Sequence, residues 1–155
     1  MKEIDGNIWD FVDQQHWIVV TTNGTIKSNR ELVMGKGIAL EAKNRYSGLA
    51  LELGIRTAQG GNHCYLIWGQ NIITFPTKHN WFENSDLQLI ERSAKEFINI
   101  TSHIDAELKR CLKPSVTGYY LPRPGCGNGG LSWDVVKPVL EKYFIDDRII
   151  IVSQK

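Results

Sequence analysis

The sequence predicts an α/β protein whose mostly parallel or mixed sheet is covered by helices on both faces. Short β-branched runs alternate along the chain with helix-forming segments. The closing run, residues 148–152 (RIIIV), is apolar without alternation, as a strand buried on both faces must be. A chain of 155 residues is enough for one domain with a single compact core. Hydrophobic residues at 42% and charged residues at 23% are ordinary for a globular chain, so most of it is expected to be ordered.

In chain order, residues 17–21 (WIVVT) are a β-branched run that ends in Thr22, Asn23 and Gly24, a strand delivering the chain into a turn. A polar stretch follows to Arg30. Residues 34–46 then pass from glycine-rich to helix-forming, a loop feeding a helix that opens near Ile38. Residues 64–68 and 71–75 are apolar β runs separated by Gly69 and Gln70, suited to a hairpin or to neighbouring strands, and Pro76 ends the second. Leu87, Ile90, Ala94, Phe97, Ile98, Thr101, Ile104, Leu108 and Cys111 recur at helical spacing, the longest helix of the chain. Ser85 with Gln88 reads as a capping box at its start, and Pro114 marks a stop beyond its end. Residues 116–121 form another strand, and 122–130 (PRPGCGNGG) a loop whose glycines permit backbone conformations other residues avoid. Ser132 is the expected N-cap of a last helix over 133–144 with Val136, Val139, Leu140 and Tyr143 inside, and Pro138 just past its first turn.

Charge and cysteine content limit the function. Eighteen basic against 17 acidic residues leave a net charge of +1, which supplies no long-range field for a nucleic acid, so such a partner has to be held locally. The first residues, Met1, Lys2 and Glu3, lead into no apolar signal core, and no run is long enough to span a bilayer. The expectation is a cytoplasmic protein with no membrane partner. Cys64, Cys111 and Cys126 are widely spaced without a C-x-x-C or Cys/His cluster, which points to reduced thiols and to no metal held by cysteine; no cofactor is expected.

Three unusual loops each follow a strand, residues 23–37, 76–85 and 122–132, and open α/β sheets bind ligands at the carboxyl ends of their strands. Two of these loops are glycine-rich and lead into helices, so their N–H groups make two anion sites, as a diphosphate requires. The sequence has neither a G-x-x-x-x-G-K-[ST] loop nor the third glycine of a dinucleotide fingerprint.

Asn23, then 34–40 (MGKGIAL), 75–78 (FPTK) and 124–133 (PGCGNGGLSW), occur in the order seen in the macrodomain family, which the chain resembles from Gly6 to its last strand. Within that family it looks like the branch holding terminal ADP-ribose–protein glycohydrolase and the bacterial antitoxins that remove ADP-ribose from DNA. The resemblance implies a single three-layer α/β/α macrodomain with a mixed central sheet over residues 1–155. Its partner would be ADP-ribose or an ADP-ribosylated DNA or protein, and it would act as a monomer. Asn7 and Ile8 would lie near adenine and Asn23 on the distal ribose. Met34, Gly35, Lys36, Gly37 and Ile38 would surround the diphosphate together with Pro124, Gly125, Cys126, Gly127, Asn128, Gly129, Gly130 and Leu131. Many macrodomains carry aspartate where Asn7 stands.

Lys78 stands where the glycohydrolase branch has the lysine that attacks the anomeric carbon of the distal ribose. An amine can form an imine-type adduct there, which water resolves, once it is unprotonated. The protein-directed enzyme pairs this lysine with an aspartate, but Gly129 aligns with it here. Among Asn128, His79 and Asp134, His79 is first choice as acid–base partner, because histidine is the residue type suited to proton exchange near neutral pH. The first loop holds Glu31 but no aspartate, and its extra length suits recognition of the attached group. Taken singly, Asn23 and Gly24 are a turn, Lys78 a solvated lysine, His79 an exposed or capping residue, and Cys126 a small loop filler. Trp81 and Phe82 either stack on a ligand or pack under the long helix. Two other functions stay open, a binding module without chemistry and a phosphatase acting on ADP-ribose 1″-phosphate.

Overall fold

A computed structural model describes residues 1–154. Six strands form one mixed sheet: β1 (Lys2–Asp5), β2 (His16–Thr22), β3 (Leu66–Ile67), β4 (Ile72–Pro76), β5 (Gly118–Leu121) and β6 (Ile149–Ser153). Their order is β1-β6-β5-β2-β4-β3, all parallel except β3, which runs antiparallel to β4 with Leu66 opposite Ile73.

The strand β2 shows how the sequence builds three layers. Its side chains alternate, and both sets are buried. Trp17 and Val19 join the core beneath α3 (Leu87–Arg110) and α4 (Trp133–Glu141). Ile18 and Val20 join the opposite core beneath α1 (Gly37–Arg45) and α2 (Leu49–Gly60). Phe97 is fully buried at the centre of the first core, edge-on to Phe75, Tyr119 and Phe144. Burying a side chain of this size contributes about 1.5–3 kcal/mol.

Several elements differ from the sequence reading. Asp86, not Ser85, caps α3, its carboxylate accepting from the Gln88 N–H at 3.0 Å. Ser85 is instead tied across to the glycine loop, its N–H donating to the Gly129 carbonyl at 2.8 Å. The stripe on α3 holds as far as Leu108, whereas Cys111 lies exposed beyond the helix end. The run 64–68 contributes only a two-residue strand, because Trp68–Gln70 turn tightly and Asn71 takes a left-handed conformation, φ +53°. The last helix stops at Glu141, with Ser132 as its cap and Pro138 inside its second turn. Two elements went unread: β1, which pairs with β6, and α2, which buries Leu49, Ala50, Leu53 and Thr57. Among the described residues no helix is long and apolar enough to cross a membrane.

Candidate functional site

Strand β2 lies between β4 on one side and β5 on the other, so the carboxyl ends of these strands flank a topological switch point. The loops that follow them, residues 23–36, 77–86 and 122–132, are bonded to one another there. The Gly24 N–H donates to the His79 carbonyl at 3.1 Å, and the Trp81 N–H to Thr25 Oγ1 at 3.0 Å. Lys78 Nζ reaches the Asn128 carbonyl at 3.3 Å, one residue before the Ser85 to Gly129 bond. A Cβ on Gly37 would stand 3.4 Å from Asn128 Nδ2, so the two glycine loops face each other at close range. The convergence expected of the three loops is therefore present.

Around α1 the conditions for holding an anion are met. Its N-cap, Lys36, makes no side-chain cap. Among the described residues no hydrogen bond uses the N–H groups of Gly35, Lys36, Gly37 or Ile38. The third loop is more committed: the N–H groups of Cys126, Gly129, Gly130 and Leu131 all donate within it, and Ser132 caps α4 through Asp134 N–H. Met34, expected near the diphosphate, is buried in the core, and Pro124 and Gly125 are buried as well.

Asn23 is partly occupied. Its Nδ2 donates to the Val33 carbonyl and its Oδ1 accepts from the Thr25 N–H, both at 2.9 Å, bracing the first loop. Each end of the amide keeps one further hydrogen-bonding valence. Asn7, two residues beyond β1, is exposed and accepts from the Trp9 N–H at 3.0 Å, while Ile8 is buried beside it.

Lys78 is half-buried, and its amine donates to the carbonyls of Asn128 at 3.3 Å and Trp81 at 3.5 Å, strapping the second loop to the third. Its own carbonyl accepts from Asn62 Nδ2 at 2.9 Å, a contact that no sequence motif announces. His79 Nε2 lies 2.8 Å from Asp86 Oδ2, and this hydrogen bond holds the Asp86 carboxyl below its usual value. A Cβ on Gly129 would fall 2.3 Å from Ser85 Oγ, so a side chain there requires that hydroxyl to move. Burial raises the Cys126 thiol above its ordinary value, which suits a loop filler rather than a nucleophile. Trp81 and Phe82 stay 51% and 71% exposed, edge-on to each other at 5.9 Å, so neither packs under α3. Two open cavities of about 490 and 540 Å³ lie away from these loops, around Trp68 and Asn71, without the candidate chemistry.

No protein-family model matches the sequence. The solved macrodomain of Mycobacterium tuberculosis DarG superposes with a TM-score of 0.73 at 25% identity, covering 98% of this chain and 95% of that one. The chain has the macrodomain fold. This macrodomain is also 31% identical over 121 residues to the DNA ADP-ribosyl glycohydrolase of Mycobacterium tuberculosis, covering 72% of the chain and 32% of that protein. It thus spans about a third of the length of that curated relative. It is 27% identical over 122 residues to the ADP-ribose glycohydrolase OARD1 of Bos taurus, covering 77% of the chain and 74% of that protein. The expected three-layer fold with a mixed sheet is the fold observed.

Proposed function

We propose that this macrodomain binds ADP-ribose across its three loops and hydrolyses an ADP-ribosyl linkage, with Lys78 as the nucleophile. The observation that carries this reading is the position of the Lys78 amine, braced between the second and third loops at the carboxyl end of β4. The relatives' names support the substrate class, since both contain ADP-ribose or an ADP-ribosyl group as the thing acted on. Diphosphate oxygens accept from the free N–H groups before α1, the distal ribose lies toward Asn23 and Lys78, and adenine toward Asn7 and Ile8. The macromolecule is an ADP-ribosylated DNA or protein, acted on by a cytoplasmic monomer formed from residues 1–155. The near-neutral net charge means that a DNA strand is gripped at the site itself.

The test is the release of free ADP-ribose from an ADP-ribosylated oligonucleotide and an ADP-ribosylated protein, by wild type and by Lys78→Ala. Release by the wild type alone supports the reading. Equal release by both discards the lysine. Where neither releases, stabilisation by ADP-ribose of about 2.7 kcal/mol at a hundred times its dissociation constant would identify a binding module instead. Phosphate released from ADP-ribose 1″-phosphate independently of Lys78 would identify a phosphatase.

A further inference from the structure

The hydrolysis proposed above has no aspartate beside its lysine, since glycine stands at 129, and the sequence puts His79 first as the acid–base partner. We infer that His79 and Asp86 together form the acid–base group, Asp86 fixing the imidazole through Nε2 while Nδ1 exchanges protons with Lys78 and the departing group. Asp86 is held at three points. Its N–H donates to the Thr77 carbonyl at 2.9 Å, one carboxylate oxygen accepts from the Gln88 N–H at 3.0 Å, and the other faces His79 at 2.8 Å. An ionised carboxylate only accepts, so Nε2 carries the hydrogen and Nδ1 is left as the basic nitrogen of the neutral ring. His79 is 55% exposed, and no hydrogen bond among the described residues uses its Nδ1. Capping α3 does not require an aspartate, because asparagine caps equally well. The pairing with His79 does.

The peptides that launch the two side chains are anchored as well. Asn62 holds the Lys78 carbonyl, and the Gly24 N–H holds that of His79. Lys78 and the residue preceding Asp86 bind consecutive residues of the third loop, Asn128 and Gly129. The charged groups around His79 are Asp86 at the start of α3, bonded to its ring, Lys78 preceding it in the sequence, and Glu83, which accepts from Asn80 in the same loop. The first loop meets its backbone with uncharged Gly24, and Thr25 meets Trp81 two residues on. Beyond Asn62 lies the cluster of His63, Glu96 and Arg92.

The proton inventory then balances. Neutral His79 takes a proton from the Lys78 ammonium. The freed amine attacks the anomeric carbon, the bond to the attached group breaks, and that group leaves with the electron pair and the proton from His79. In the second step His79 takes a proton from water, the hydroxide adds to the anomeric carbon, and the carbon–nitrogen bond breaks with its pair returning to Lys78. The proton on His79 passes back to the amine. The sum is linkage plus water giving ADP-ribose and the protonated leaving group.

The experiment compares wild type, Lys78→Ala, His79→Gln and Asp86→Asn in the release assay from pH 5 to 10, with ADP-ribose affinity, thermal midpoint and nitrogen NMR of the His79 ring. His79→Gln should lower kcat by about 10²- to 10⁴-fold, the usual worth of a positioned acid–base group. Asp86→Asn should lower kcat and displace the acid limb of the profile while leaving ADP-ribose affinity and thermal midpoint near wild type, because it keeps the helix cap. A hydrogen found on Nδ1 rather than Nε2 in the neutral ring would overturn the pairing whatever the activity. Full turnover by both variants with Lys78→Ala inactive would refute the pair and leave the lysine standing. No release from any linkage by the wild type would overturn both proposals.

Discussion

A side chain at Gly129 should destabilise the protein, and Ser85 should be the reason. An alanine Cβ there would sit 2.3 Å from Ser85 Oγ and 3.1 Å from Ser85 Cβ, where unstrained contacts need about 3.5 Å. The two segments cannot simply part, because the Ser85 N–H is bonded to the Gly129 carbonyl at 2.8 Å. Overpacking of this kind costs about 1–3 kcal/mol. At roughly 2–4 °C per kcal/mol for a chain of this size, Gly129→Ala should melt about 2–12 °C lower. Ser85 Oγ is buried and has no hydrogen-bond partner, so Ser85→Ala by itself should be near neutral. In that background Gly129→Ala meets nothing nearer than the Cβ at 3.1 Å, and its cost should fall by about 1–2 kcal/mol. Urea and thermal unfolding of the four proteins measure that coupling directly. A coupling near zero would mean that the hydroxyl rotates aside, and the explanation for glycine at this position would be wrong.

Two further outcomes are expected. Asn62→Ala removes the donor to the Lys78 carbonyl; it should cost about 1 kcal/mol and lower kcat more than it weakens ADP-ribose, measured by calorimetry beside the release assay. Retention of full kcat would show that the lysine needs no such brace. Hydrogen bonds from His79 and from Arg148 hold the Asp86 and Asp146 carboxyls below their ordinary values. A depressed carboxyl stabilises the fold above its unfolded value and loses that contribution as pH falls through the folded one. The thermal midpoint should therefore hold from pH 7 to about 4 and drop below, with Asp146→Asn less stable at neutrality and flatter in acid.

The elements legible in the sequence are those whose burial follows a period. Strand β2 and helix α3 carry theirs openly, in the run 17–21 and in the spacing from Leu87 to Leu108. Strand β1 has one partly buried apolar side chain, Ile4, among three exposed charged residues, and its extended form comes from pairing with β6, a contact across nearly the whole chain. Helix α2 begins directly after Gly48, whose φ of +82° breaks the run from α1, and neither helix is long. At the start of α3, Ser85 and Asp86 both offer a capping oxygen, and the bond from Ser85 to Gly129 assigns the role to Asp86. The glycine loops and Lys78 were readable as motifs. Their braces were not, because Asn62 meets Lys78 from sixteen residues away and Ser85 meets Gly129 across a helix and a strand.

The pairing of β1 with β6 also sets an order of assembly on the ribosome. Residues 2–5 are made well before their partners, 150–153, and the Gly6 N–H is satisfied only by the Ser153 carbonyl at 2.9 Å. Asn7 follows immediately. A nascent chain released only as far as α4 can therefore bring the Lys78 loop against the glycine loop while the Asn7 end waits, unpaired, for the final strand. Contacts so distant in sequence close late. The half of the crevice that would carry out the chemistry is thus the half that can form first during synthesis, and the half that would recognise the base completes it.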